Sequence, residues 1–100
     1  MAQIVVSAHA DADVAAILDH LIQAAGQPAG DKYAQAFNAA YDRLIDFPRL
    51  GPMRPNLGPD ARIWVVAPYI LVYDYAGDVV TILRVLHGRR KISGDLIGRR

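Results

Sequence analysis

The chain has 100 residues, of which 53% are hydrophobic and 21% are charged, a composition typical of a globular domain rather than of a disordered segment. It contains no cysteine, which excludes a disulfide framework, a thiolate zinc site and a cysteine nucleophile. The formal net charge of +1 conceals an asymmetry, since residues 1–48 carry two basic and six acidic residues and residues 49–100 carry nine basic and four acidic ones. We therefore expect a single domain over residues 1–100, without a cofactor, whose C-terminal half contacts an acidic or polyanionic partner.

The first half of the chain predicts a strand followed by a helical hairpin. Residues 2–7 contain three consecutive β-branched residues, Ile4, Val5 and Val6, and are followed by polar residues, which predicts a short strand. A helix is predicted to begin near Ser7 or Asp11 and to end at Gly26. Its apolar face consists of Val14, Ile17, Leu18, Leu21 and Ile22. A second helix is predicted from about Pro28 to Phe47-Pro48. Its apolar face consists of Tyr33, Phe37, Ala40, Tyr41, Leu44 and Ile45.

The second half of the chain predicts a loop and three strands. Residues 48–60 contain four prolines and two glycines, which predicts a stiff surface loop. Residues 62–67, 69–75 and 79–87 are rich in Val, Ile, Tyr and Trp and predict strands, the last two joined by a tight turn at Gly77. The order β-α-α-β-β-β predicts an α+β fold in which the helical hairpin packs on one face of an antiparallel sheet.

Neither face of the last two strands is polar. Strict alternation places Tyr69, Leu71, Tyr73 and Tyr75 on one face of their strand and Ile70 and Val72 on the other. In the last strand it places Val79, Leu83 and Val85 on one face and Val80, Ile82 and Leu86 on the other. Because two helices cover only one face, the second must be shielded by the basic C-terminal tail (residues 88–100), by another subunit or by a partner chain, unless the sheet is buried within its own fold.

The strongest local feature is a basic cluster at the end of the last strand. Arg84 stands three residues before His87, and three consecutive cations follow at residues 89–91. Arginine forms bidentate contacts with phosphate, and histidine is a donor or general acid near neutral pH. The cluster therefore predicts an anion-recognition patch. The alternative is a solvated strand end whose charges only prevent aggregation of the strand with other chains. The candidate partner-binding residues are Arg62, Arg84, His87, Arg89, Arg90 and Lys91.

Neither a metal site nor a membrane segment is expected. His9 and His20 are eleven residues apart and would share a helix face if the first helix reached back to His9, although two histidines on a solvated helix need no metal to explain them. Trp64 is predicted to be a core residue rather than a platform for base stacking. The longest apolar run, residues 63–73, is shorter than the roughly 18 residues of a membrane span, so we expect a cytoplasmic protein.

Four segments occur in an order and spacing that are specific in combination. They are Ala10-x-x-Asp13-Val14-x-x-Ile17, Leu44-Ile45-Asp46-Phe47-Pro48-Arg49-Leu50-Gly51, Tyr69-Ile70-Leu71-Val72-Tyr73 and Ile82-Leu83-Arg84-Val85-Leu86-His87-Gly88-Arg89-Arg90. Together they resemble the RelE/ParE superfamily of toxins from bacterial type II toxin–antitoxin modules, and its ParE branch in particular. The resemblance covers nearly the whole chain and implies a small cytoplasmic toxin that binds a cognate ParD-like antitoxin.

The resemblance implies one of two activities, with an altered or lost activity as a third alternative. ParE-like members inhibit DNA gyrase by binding, whereas RelE-like members are endoribonucleases that cleave mRNA within the ribosome. The nuclease branch has an Arg after the aromatic residue of the second-last strand and a Tyr near the C-terminus, but this chain has Ile70 at the first place and no tyrosine after Tyr75. In a nuclease, the catalytic residues would be His87, Arg84 and Arg89. We therefore expect gyrase inhibition, with no catalytic residue and no sequence-specific binding of nucleic acid.

Overall fold

The structure is a computed structural model that describes residues 1–98. The elements are β1 (Gln3–Val6), α1 (Ala8–Ala25), α2 (Gln27–Asp46), a 3₁₀ turn (Pro55–Leu57), β2 (Ala61–Val66), β3 (Tyr69–Ala76) and β4 (Val79–His87). This order confirms the predicted α+β class, and no strand end differs from its predicted position by more than one residue. Residues 99 and 100 of the predicted tail lie outside the described range.

Two glycines and a serine determine the shape of the helical hairpin. The Ser7 hydroxyl accepts a hydrogen bond from Ala10 N–H at 3.0 Å and so caps α1, which decides between the two predicted starts. Gly26, with φ of 87°, ends α1 and immediately precedes α2. The two helices approach closely at Gly30, where a Cβ atom would lie 2.5 Å from Ile22 Cγ1. This close approach packs the two helices against each other as one layer.

The four strands form one mixed sheet in the order β1-β4-β3-β2. β2 pairs with β3 and β3 with β4 in antiparallel register. The β3–β4 turn has positive φ at Gly77 and Asp78 (58° and 61°), as the tightest hairpin turns require. β1 runs parallel to β4, with Val6 opposite Ile82. The sheet thus differs from the antiparallel expectation in this one strand, because both helices and two strands intervene between β1 and its neighbour and return the chain in the same direction.

A β-bulge in β4 changes which face each of its residues occupies. Val72 is opposite Arg84 and Tyr73 is opposite Ile82, so Leu83 has no partner on β3. One extra residue shifts the two-residue period of the side chains. The helix-facing core residues of β4 are Val80, Ile82 and Val85, and those facing away are Leu83 and Leu86. The predicted strict alternation, with Leu83 beside Val85 and Ile82 beside Leu86, is therefore wrong across the bulge.

Each face of the sheet has its own apolar core. The core under the helices includes Ala10, Phe37, Leu44, Leu71, Tyr73 and Ile82. Trp64 packs against this core, as predicted. The core of the opposite face consists of Leu57, Ala61, Val72, Leu86 and Ile97, with Ile92 and Leu96 packed beside it. The tail and the 3₁₀ turn of the same chain therefore cover the second face, and this face is not a free surface for a partner.

The described residues contain neither a membrane-spanning helix nor a metal cluster. Within residues 1–98, no helix combines the length and apolar character needed to cross a membrane. α1 does reach back to His9, so His9 and His20 lie on one helix. No group of three or more histidine and aspartate side chains in this range stands close enough to hold a metal ion.

Candidate partner-binding site

The predicted anion-recognition patch corresponds to the last residue of β4 and the tight turn that follows it, residues 87–91, which we call the basic turn. The His87 carbonyl oxygen accepts a hydrogen bond from Arg90 N–H at 3.0 Å, and His87 Nδ1 accepts one from Arg89 N–H at 3.1 Å. Gly88 N–H donates to the Pro68 carbonyl oxygen at 2.8 Å, which joins the basic turn to the β2–β3 connection. The backbone of the basic turn is therefore fixed against the end of the sheet.

The side chains of the basic turn are available to a partner. Arg89, Arg90 and Lys91 are exposed, and none forms an ion pair with a carboxylate within the described part of the chain. The His87 ring packs edge-on against Tyr69, with ring centroids 5.8 Å apart. Because His87 Nδ1 accepts a hydrogen bond, Nε2 is its remaining polar atom. Three cations and one imidazole form a surface suited to phosphate or carboxylate oxygens.

Arg84 is engaged within the chain. Its Nε and Nη2 donate to the two carboxylate oxygens of Asp13 at 2.7 and 3.0 Å, and its Nη1 donates to the Leu96 carbonyl oxygen at 2.6 Å. The hydrogen bond to Asp13 raises the pKa of Arg84 above its ordinary value. β1 ends at Val6, so α1 rather than a strand covers the outer edge of β4 there, and Val85 N–H donates to Asp13 at 2.9 Å. Arg84 thus joins β4 to α1 through its ion pair with Asp13 and to the tail through its hydrogen bond to Leu96.

His87 and Arg84 lie on opposite faces of β4. His87 is opposite Tyr69, which belongs to the core under the helices, and Arg84 is opposite Val72, which belongs to the core under the tail. Cleavage of RNA without a metal needs a proton-transfer group and cations around the same phosphate. The structure does not collect the suggested set of His87, Arg84 and Arg89 on one face of the sheet.

Arg62 lies away from the basic turn. It is opposite Tyr73, four residues along β3 from the position opposite His87, which corresponds to roughly 14 Å along a strand. Its Nη1 donates to the carbonyl oxygens of Arg49 and Gly51 at 3.1 and 2.8 Å. The structure therefore separates Arg62 from the other partner-binding candidates and shows that it holds the loop between α2 and β2.

Buried Tyr73 holds the same loop from the core side. Its hydroxyl donates to the Pro48 carbonyl oxygen at 2.8 Å and accepts from Gly51 N–H at 3.0 Å. Burial raises the pKa of the Tyr73 phenol, so the hydroxyl stays protonated and remains a donor to the Pro48 carbonyl oxygen. A Cβ atom at Gly51 would overlap the Ile63 carbonyl oxygen, so only glycine fits this close approach.

An open cleft of about 340 Å³ lies between this loop and the β3–β4 turn. The Arg49 guanidinium lies over the Tyr75 ring, 5.4 Å from its centroid. Asp60, Arg62 and Asp78 also line the cleft. Two arginines and two aspartates give the cleft lining no net formal charge. No sequence motif had pointed to this cleft.

Comparison with known proteins identifies the family. Residues 4–92 match the family described as the ParE toxin of the type II toxin–antitoxin system, parDE. The chain belongs to the ParE toxin family. Toxin ParE3 of Caulobacter vibrioides is 35% identical over 83 residues, which cover 79% of this chain and 83% of that protein. A chain of the chromosomal ParDE TA system from P. aeruginosa has a TM-score of 0.74 at 25% identity, covering 87% of this chain and 96% of that chain.

Sequence reasoning about this ParE-family toxin missed the role of Asp13. Asp13 stands in one of the segments quoted for the resemblance, but no partner was predicted for it. A usable signal is the difference in strand length, since β1 has four residues and β4 has nine. Because β4 is longer than β1, some N–H groups of β4 have no partner on β1. The first turns of α1, which follows β1 in the chain, are placed to accept hydrogen bonds from them.

Proposed function

We propose that this ParE-family toxin inhibits DNA gyrase by binding to it, and that a cognate ParD-like antitoxin neutralises it. The observation that carries the proposal is the basic turn, whose three cations are exposed and have no carboxylate partner within residues 1–98. The groups that nuclease chemistry would need are instead divided between the faces of β4. A binding inhibitor needs a preformed surface and no general base. In this proposal no residue is catalytic and no cofactor takes part.

The proposed partner-binding residues fall into two groups. Those in direct contact with a partner are His87, Arg89, Arg90 and Lys91, and those that act by holding neighbouring segments are Arg62 and Arg84. Acidic side chains of the antitoxin would pair with the cations of the basic turn. An antitoxin bound to the basic turn would then keep the toxin from engaging the gyrase complex, which accounts for neutralisation without any change in the fold of the toxin.

The purified toxin is expected to inhibit DNA supercoiling by gyrase and to increase the amount of cleaved DNA that the enzyme holds. In cells, expression without antitoxin should cause filamentation and a DNA-damage response, because replication is blocked before translation is affected. Pulse labelling of DNA and protein synthesis after induction measures the order of these events. Protein synthesis that stops first, while DNA synthesis continues, would support ribosome-dependent cleavage of mRNA instead.

His87→Gln is expected to leave most of the toxicity, whereas alanine at Arg89, Arg90 and Lys91 together should abolish it. Glutamine retains an acceptor for Arg89 N–H but is not a proton-transfer group, and loss of a general acid or base would cost about 10²- to 10⁴-fold in rate. Killing rates at matched protein levels measure both effects.

The matched control for this comparison is the triple variant with alanine at Lys32, Arg43 and Arg54, three exposed cations outside the basic turn. It lowers the net charge by the same amount and is expected to remain toxic. The opposite ranking, in which His87→Gln silences the protein and the basic-turn variant stays active, would favour the enzymatic alternative.

A further inference from the structure

We propose that the basic turn contacts phosphate groups of DNA, independently of base sequence, while the toxin is bound to gyrase. This inference rests on the proposed function, because it assigns the basic turn to the DNA in the gyrase complex rather than to the protein. Exposed arginine and lysine side chains without internal partners are the groups that neutralise backbone phosphates. Recognition of phosphate alone carries no base specificity.

The surroundings of the basic turn favour phosphate over a protein surface. Protein interfaces have a desolvated centre of aromatic, Met and Arg side chains. The large exposed apolar side chains among residues 1–98 are Met1, Val5, Phe47, Leu50, Met53 and Val65. Of these, Val65 alone lies at the end of the sheet that carries the basic turn. The basic turn therefore has few exposed apolar neighbours and is almost purely cationic.

Local charge and local geometry support the same assignment. Residues 79–94 contain no acidic residue, and the charge of Arg84 is matched by Asp13, so nothing nearby on this strand cancels Arg89, Arg90 and Lys91. Gly88 lies so close to the β2–β3 connection that a Cβ atom would be 3.0 Å from the Pro68 carbonyl oxygen. The three cations therefore project from a fixed backbone, which lowers the ordering cost of binding a rigid polyanion.

The test is a titration of the purified toxin, without gyrase, against a fluorescently labelled 20-base-pair duplex at salt concentrations from 50 to 200 mM. Three phosphate contacts give a slope of about −2.7 in the logarithm of affinity against the logarithm of salt, or about 40-fold weaker binding across this range. The variant with alanine at Arg89, Arg90 and Lys91 should lose most of this slope. Arg89→Lys with Arg90→Lys should keep it, as should the control with alanine at Lys32, Arg43 and Arg54.

Two results would overturn the inference. They are equal slopes for the wild type and the basic-turn variant, and no binding of the duplex at 50 mM salt. Inhibition of gyrase supercoiling by the same preparation tests the proposed function separately. Inhibition without DNA binding would overturn only the DNA contact, whereas DNA binding with the predicted slope but no inhibition would overturn the gyrase assignment and leave a DNA contact made outside that complex.

Discussion

Asp13→Ala is expected to lower the free energy of unfolding by about 3 kcal/mol, because it leaves a largely buried charge without its partner. The change removes three hydrogen bonds to the Asp13 carboxylate, two from Arg84 and one from Val85 N–H. The Arg84 side chain is only 16% exposed, so water replaces the carboxylate poorly. The total stability of a domain of this size is typically about 5–15 kcal/mol, so the loss is a large fraction of it. Urea unfolding followed by circular dichroism measures the difference.

Two other substitutions on α1 give this prediction its controls. Asp19 is exposed and its side chain bonds only to Gln23 within the described residues, so Asp19→Ala should cost less than about 0.5 kcal/mol. Asp13→Asn keeps an acceptor for Val85 N–H but loses the charge, and should fall between the two. If Asp13→Ala were no more destabilising than Asp19→Ala, the ion pair at the edge of β4 would contribute nothing to the fold.

Removal of residues 89–100 is expected to abolish toxicity for two separable reasons. The deletion takes away the three cations of the basic turn. It also takes away the apolar side chains that cover the second face of the sheet, Ile92, Leu96 and Ile97. Exposing the core that these residues cover should cost about 5 kcal/mol, at 1.5–3 kcal/mol for each fully buried side chain and less for those partly exposed. Toxicity in cells and the midpoint of thermal unfolding measure the two losses.

A chain truncated after Lys91 separates the two reasons. It keeps the three cations of the basic turn but should unfold at a much lower temperature and aggregate, because Val72 and Leu86 become exposed. The full-length variant with alanine at Arg89, Arg90 and Lys91 should unfold at nearly the wild-type temperature and still be inactive. A chain truncated after Lys91 with unchanged stability would show that the tail is not part of the core.

The fold was predictable because each element has a local signal. Apolar spacing gave both helices, Gly26 gave the break between them, and Gly77 gave the last turn. The bulge at Leu83 was not predictable, since an extra residue in a strand leaves the composition and the flanking turns unchanged. The parallel pairing of β1 was likewise hidden, because the hydrophobicity of a four-residue strand does not specify its neighbour.

The candidate site was predictable in composition but not in grouping. A run of cations indicates an exposed basic turn wherever the strand ends, and Arg89, Arg90 and Lys91 are exposed as expected. Arg84 is three residues before His87 and was grouped with it by proximity in the sequence. The Arg84 side chain is instead paired with Asp13, 71 residues earlier in the chain. The spacing of neighbouring residues does not predict a contact between residues so far apart in the sequence.

The position of β4 in the middle of the sheet has a consequence for synthesis. β4 lies between β1 and β3, yet it is synthesised after the other three strands of the sheet. Until β4 emerges, β1 has no neighbouring strand and the β2–β3 pair is not connected to β1. The sheet therefore forms only once β4 is available, since domains fold as units. The basic turn begins at the last residue of β4 and acquires its fixed backbone only then. We therefore expect nascent chains and terminated products that lack β4 to have no activity, so that toxicity begins only after residues 79–91 have been synthesised.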